Sequence, residues 1–228
     1  MITPLIPYLR WEFVPARPGD YQAHHLRGAI ASLYRDWSLL HQHAGRQYLY
    51  QHPLVQYKVL NGTPMMTGLG LGAELLAALE PPAELQLNRD LVSFNDVRLV
   101  SEIYEPDFIM PHRFHFATPW LALNEENYLL YREFESDEQT IAIGQLLQRI
   151  LIGNILSFAK GLGLSILATL QGQIHHWHAE PVRAKQLDTG LMLGFAATGE
   201  ITFSAPPLWG FGKQSSRGNG VMVTQAME

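Results

Sequence analysis

The sequence predicts an α+β protein built from two consecutive sheet-and-helix domains, and three observations carry that prediction. Residues 1–92 run in the order strand, helix, strand, strand, helix, strand, the ferredoxin-like or split-βαβ arrangement. An Asn61-Gly62 pair between two apolar runs is a strong type I′ hairpin signal, which makes the pairing there antiparallel. Residues 93–228 then repeat the theme less regularly, within a length of 228 residues that is ample for two packed cores.

Each element has a local reason. Tyr8 to Val14 alternates apolar and polar residues as a half-buried strand does, and Pro15 with Pro18-Gly19 ends it. Asp20 is the expected N-cap of a helix to about Asp36, with Leu26, Ala29, Ile30, Leu33 and Tyr34 on one face. Strands Leu54 to Leu60 and Thr63 to Thr67 flank the hairpin. A short apolar helix follows from Gly68 to Leu79, stopped by Pro81-Pro82, and Leu85 to Asn88 supplies the fourth strand. Such a unit places both helices on one face of its sheet and leaves the other free.

In the second domain, Val97 to Phe116 reads as extended chain bent near Pro111. Asn124 to Phe134 reads as a helix, with Asp137 capping the next one. That longer helix carries leucine or isoleucine at 143, 146, 147, 150, 151 and 155 and is stopped by Gly161 and Gly163. Strands are expected at 165–173, 175–185 and 190–203, and a final short one at 221–223.

Composition narrows the chemistry. There is no cysteine, hence no disulfide, thiolate nucleophile or thiolate metal site. The start of the chain lacks the basic and apolar pattern of a secretory signal. The apolar run 141–164 is interrupted by Gln145, Gln148, Arg149 and Asn154, so no membrane span is read there and the cytoplasm is the default location. The net charge of −5 comes from residues 91–155, where ten acidic residues face four basic ones. Both stretches that carry chemistry lie outside that segment, so an anionic ligand is not excluded.

The first of these is Leu39 to Tyr50, which holds His41, His43, Arg46, Tyr48 and Tyr50. Two imidazoles near neutrality can serve as acid and base, or can ligate a metal. RNA is cut without metal when one group deprotonates the ribose 2′-OH and another protonates the departing 5′-oxygen. A tyrosine can orient the nucleophile and an arginine can stabilise the charge on phosphate. Surface histidines at a helix end would give the same pattern. The second stretch is Gly210-Phe-Gly212-Lys213-Gln214-Ser215-Ser216-Arg217-Gly218-Asn219-Gly220. Its glycines let backbone N–H groups approach an anion, two cations add charge, and Gln214, Ser215 and Ser216 add neutral donors. It lacks the Walker A spacing, and a plain connecting loop is the competing reading.

Two further patterns carry less. Gly68-x-Gly70-x-x-Ala73 matches the dinucleotide fingerprint, but an antiparallel hairpin precedes it where a parallel crossover is required. His176 and His178 share one strand face without an evident third metal ligand.

Several stretches in combination resemble the CRISPR repeat-cleaving endoribonuclease family. They are His25 to Ile30, His41-Gln42-His43, Tyr50-x-x-Pro53-Leu54-Val55-Gln56-Tyr57-Lys58-Val59 and Gly72 to Leu76. Thr118 to Tyr128, Ile152 to Gly161 and the C-terminal glycine loop complete the set. The resemblance spans nearly the whole chain and is closest to the branch with paired histidines before the second strand. It implies tandem ferredoxin-like domains resembling RNA-recognition motifs, the first (1–92) with the histidines and the second (93–228) with the loop. It also implies metal-independent cleavage of CRISPR repeat RNA, with 2′,3′-cyclic phosphate and 5′-hydroxyl products and no cofactor.

By matched position, His43 would be the principal acid/base residue, His41 its partner and Tyr50 an orienting group, with Tyr34 a further candidate. Arg46, Lys58, Gly210, Gly212, Lys213, Ser215, Ser216, Arg217, Gly218 and Gly220 would bind RNA. Asn219 departs from the apolar or aromatic residue common between the last two glycines. Repeat RNA is the implied partner, with effector-complex proteins and a second copy of the chain as further candidates. Two alternatives remain: a non-catalytic RNA-binding subunit of an effector complex, and a metal-dependent enzyme using His41, His43, His176 and His178.

Overall fold

The computed structural model describes residues 4–41, 43–44, 47–48, 52–183 and 190–227, with backbone alone at 38, 41, 43, 44, 47 and 48. The chain forms two compact units, Met1–Glu105 with Ser216–Gly218, and Pro106–Ser215 with Asn219–Glu228. The division after Glu105 differs from the expected one after residue 92.

Unit 1 contains β1 (Ile6–Pro15), α1 (Ala23–Leu33), the short turn α2 (Ser38–His41) and a small ladder of β2 (His43–Ala44) and β3 (Gln47–Tyr48). Then come β4 (Val55–Leu60), β5 (Thr63–Leu69), α3 (Leu71–Ala78), β6 (Glu84–Leu87) and β7 (Asp90–Tyr104). The sheet order is β4-β5-β1-β7-β6, all antiparallel. Setting β6 aside, this is the 4-1-3-2 order of a ferredoxin-like unit. The fourth strand is therefore β7, and the expected strand near Leu85 is an added edge. Asn88, at φ 61°, turns the chain between them. Because β7 pairs with β1 from Tyr104 to Phe94, with one bulge at Val14–Pro15, and with β6 from Ser93 to Asp90, a boundary at residue 92 would divide one paired strand.

The Asn61-Gly62 hairpin forms as expected, with φ of 51° and 76° at its two residues. Leu9, Trp11, Phe13, Val55, Tyr57 and Met66 on the sheet pack with Leu26, Ile30, Ala73 and Leu76 of the helices into one core. Helix α1 starts and stops short of expectation: Gln22, not Asp20, is its N-cap, and Leu33 is exposed. Gly72, in the first turn of α3, serves packing. A Cβ on Gly72 would lie 1.9 Å from the Leu54 carbonyl oxygen, so the helix can start against β4 only without a side chain. The opposite sheet face is not open throughout, since Tyr8, Gln56, Lys58 and Thr67 are buried.

Unit 2 contains β8 (His112–Phe116), α4 (Glu125–Ser136), α5 (Thr140–Gly161), β9 (Gly172–Arg183), β10 (Leu191–Ile201) and β11 (Met222–Ala226). Its sheet order, β11-β8-β10-β9, is again 4-1-3-2 and antiparallel. The chain between β10 and β11, where the second helix of such a unit belongs, holds only a single 3-10 turn, Ser215–Arg217, within an otherwise irregular path that includes the glycine stretch. Asn124 caps α4 by accepting from the Asn127 N–H at 2.7 Å, whereas α5 begins after Gln139 and not at Asp137. Ile143, Leu146, Leu147, Ile150, Leu151 and Ile155 are all buried, as the spacing predicts. This helix is long and apolar enough to cross a membrane by composition, but that stripe is its packing face against the unit's interior. The expected strand 165–173 is absent before Gly172: residues 165–171 join no ladder, and Leu167 is exposed.

Candidate functional site

The histidine segment leaves α2 at His41 and passes into the β2–β3 ladder, where His43 stands opposite Tyr48 in register. The histidines thus lie at the end of a helical turn that packs on α1 and on a two-stranded ladder that follows it. Arg46 and Tyr50 lie outside the described residues, and His41 and His43 are described by backbone only. Tyr34, at the end of α1, donates its hydroxyl to the Glu80 carbonyl, and burial raises its pKa.

Past this segment the chain returns to the sheet through His52 and β4, where a polar row stands among apolar neighbours. Lys58 is fully buried; its Nζ donates to Gln56 Oε1 at 2.9 Å and to Thr67 Oγ1 at 3.0 Å. Burial pushes its pKa well below that of a lysine in water. Gln56 Nε2 lies 3.5 Å from His52 Nε2, at the long end of hydrogen bonding. Burial, and next the Lys58 charge, pull the pKa of His52 down to about 3. Lys58 was expected to bind RNA; it is instead buried, with its amine bonded into the sheet's own polar row.

The glycine loop is a built structure and not a slack connection. Lys213 N–H donates to the Leu121 carbonyl at 3.0 Å, Gly220 N–H to Pro119 at 2.9 Å and Val221 N–H to Thr118 Oγ1 at 2.9 Å. Phe211 N–H reaches the Gly220 carbonyl at 2.8 Å, closing the loop's base. Below it, Trp209 and Phe211 are fully buried, and Phe211 sits edge-on to Phe158 and Phe203. Trp120 stacks on Phe116 at 4.9 Å and donates its indole N–H to Asn154 Oδ1 at 3.1 Å. Three of the stretches singled out in the sequence, at 118–128, 152–161 and 210–220, therefore meet in one place.

Gly212, Gly218 and Gly220 have φ of 82°, 89° and 65°, a region where side chains are strained. Lys213 is exposed and Arg217 half-buried, whereas Ser215 and Ser216 are buried, contrary to the expectation that both present hydroxyls to an anion. Within unit 1, a Cβ on Gly218 would lie 3.1 Å from Ala23 Cβ and 3.3 Å from the Tyr57 carbonyl oxygen, so the loop's tip approaches β4 as bare backbone. His176 and His178 are exposed on β9, and among the described residues no three His, Asp or Glu side chains converge as a metal would need.

Sequence reasoning missed His52, Gln56 and Thr67. The signal was available. Counting back from the Asn61-Gly62 turn places Gln56 opposite Thr67 and on the same face as Lys58.

With this geometry in hand, the comparisons with known proteins are specific. Residues 6–105 match the Cas6b N-terminal domain and residues 109–225 the Cas6b C-terminal domain. The chain belongs to the Cas6b family. A crystal structure of Cas6b superposes with a TM-score of 0.86 at 28% identity, covering 97% of this chain and 100% of that one. Another, described as the CRISPR RNA processing endoribonuclease Cas6b, gives 0.71 at 27% identity, over 96% and 100%. An uncharacterized protein of Methanocaldococcus jannaschii is 32% identical over 111 residues, 49% of this chain and 71% of its own length. The tandem ferredoxin-like architecture is that of these relatives.

Proposed function

We propose that the protein is a metal-independent endoribonuclease that cleaves CRISPR repeat RNA in a precursor transcript to give mature guide RNAs. The observation that carries this reading is full-length similarity to a CRISPR RNA processing endoribonuclease, together with a histidine pair and glycine loop within the matched domains. In the mechanism, one histidine of the His41/His43 pair takes the proton from the ribose 2′-OH, whose oxygen attacks the adjacent phosphorus. The P–O5′ bond breaks, and the other histidine gives a proton to the departing 5′-oxygen. The products are a 2′,3′-cyclic phosphate and a 5′-hydroxyl. His43 has the principal role, Tyr50 orients the reacting groups, and Arg46 stabilises the charge on the phosphate. Lys213 and Arg217 hold the RNA strand from a loop whose backbone is fixed by its own hydrogen bonds.

Labelled repeat RNA incubated with the protein tests this reading: one cut, with a cyclic phosphate on the upstream fragment, is expected. His43→Ala should slow a single turnover by on the order of a hundredfold while repeat binding persists. Tight binding with no cut in the wild type would instead identify a non-catalytic RNA-holding subunit.

A further inference from the structure

The polar row on the β4–β5 hairpin has no part in the proton transfers just described. A methionine would fill the place of Lys58 without desolvating an amine, so a fully buried lysine there is a costly choice. Perturbed titratable groups of this kind gather at functional sites. The hydrogen bonds have a direction. Lys58 occupies the Gln56 oxygen, which turns the Gln56 amide nitrogen towards His52 Nε2. With the amide nitrogen as donor, that ring nitrogen accepts in the neutral form that carries its proton on Nδ1. His52 in turn stands two residues after Tyr50, at the point where the histidine segment rejoins the sheet.

We propose that Lys58 is a positioning residue: through Gln56 it fixes the orientation and tautomer of His52, and so anchors the returning end of the segment that carries His41, His43 and Tyr50. This rests on the reading of that segment as catalytic. Thr67 holds the amine from the neighbouring strand. Among the described residues, the other charged groups on this sheet face lie beyond β5: the Arg10–Glu12 pair on β1, 2.7 Å apart, Asp96, Arg98 and Glu102 on β7, and Glu84 on β6. They act on His52 only across an intervening strand. The backbone of Gly218 completes the surroundings, since a Cβ there would lie 3.5 Å from Lys58 Cα.

The test uses the full chain with Lys58→Met and Gln56→Leu. Both are expected to bind a cleavage-resistant 2′-deoxy repeat within about threefold of wild type, yet to slow single-turnover cleavage tenfold or more, the scale of a displaced acid–base group. The pH–rate profile should shift with them. In 15N-histidine spectra the wild-type His52 ring should stay neutral through mildly acid pH, and its titration midpoint should rise in Lys58→Met. Wild-type cleavage rates and an unmoved profile in either variant overturn the inference, as does an unmoved His52 midpoint. Should Lys58→Met fail to fold, Gln56→Leu decides, because it leaves the Lys58–Thr67 bond in place. The spectra need no RNA, so a wild type that does not cut sinks the proposed function and leaves this inference to the His52 signal.

Discussion

Replacing Gly220 by alanine tests whether the glycine loop is held as tightly as its bonding shows. Gly220 has φ of 65°, and an added Cβ would come 2.0 Å from the Phe211 carbonyl oxygen. The left-handed conformation alone costs an alanine roughly 1–2 kcal/mol. The contact cannot be relieved by a rotamer change, because both partners are backbone at the loop's base. Relief must lengthen the 2.8 Å bond from Phe211 N–H to Gly220, the 2.9 Å bond from Gly220 N–H to Pro119, or both. Each is worth about 1 kcal/mol net. The expected loss is about 3–4 kcal/mol, a large part of the roughly 5–15 kcal/mol that stabilises a typical domain. Urea unfolding followed by tryptophan fluorescence reads it, since Trp120 and Trp209 are both buried in unit 2. Repeat-RNA affinity should fall in the same variant under conditions where it remains folded. A loss below about 1 kcal/mol would refute the account of the loop as a fixed backbone structure.

Other expectations follow from the same geometry. Gly153 lies inside α5 with open space around its missing Cβ, so Gly153→Ala should stabilise the fold by up to about 1 kcal/mol in the same denaturation assay. Asn154→Leu leaves the buried Trp120 indole N–H without its acceptor and should cost about 1–3 kcal/mol, while conservative Asn154→Asp costs less. Because the folded-state pKa of His52 is near 3 and its ordinary value 6.5, the unfolded chain binds a proton that the folded chain refuses between those limits. Stability should therefore fall as pH drops through that window, by at most about 1.4 kcal/mol per unit, and His52→Gln should flatten the decline. Lys58 is also shifted downwards, so its contribution should rise with pH between its lowered value and the ordinary lysine value, and Lys58→Met should remove that rise in pH-dependent melting curves.

Some of this was written locally in the sequence and some was not. The Asn61-Gly62 turn and the α5 stripe were legible because each is fixed by a few neighbouring residues: two positive φ angles in one case, a 3.6-residue period in the other. The fourth strand of unit 1 was not, because both 84–87 and 90–104 are extended and only pairing with β1 decides between them. The apolar stretch near Leu167 looked like a strand for a similar reason, but it pairs with no strand of the sheet. At the candidate site, the glycine loop's spacing announced a constrained backbone, though not that Ser215 and Ser216 would be buried. Lys58 misled more deeply. A lysine between apolar residues reads as a surface cation, and its burial depends on Gln56 and Thr67, which share a row only after the hairpin folds.

Cleavage of repeat RNA in EDTA, with and without a single 2′-deoxy nucleotide at the cut site, bears most directly on the central claim. In-line attack by the ribose 2′-oxygen, driven by histidine proton transfer, needs that oxygen and no metal ion. The unmodified RNA should be cut once at full rate in chelator, and the 2′-deoxy RNA should bind equally well and stay intact. Continued cutting of the 2′-deoxy strand, or loss of cutting in EDTA that returns with added divalent metal, would contradict it.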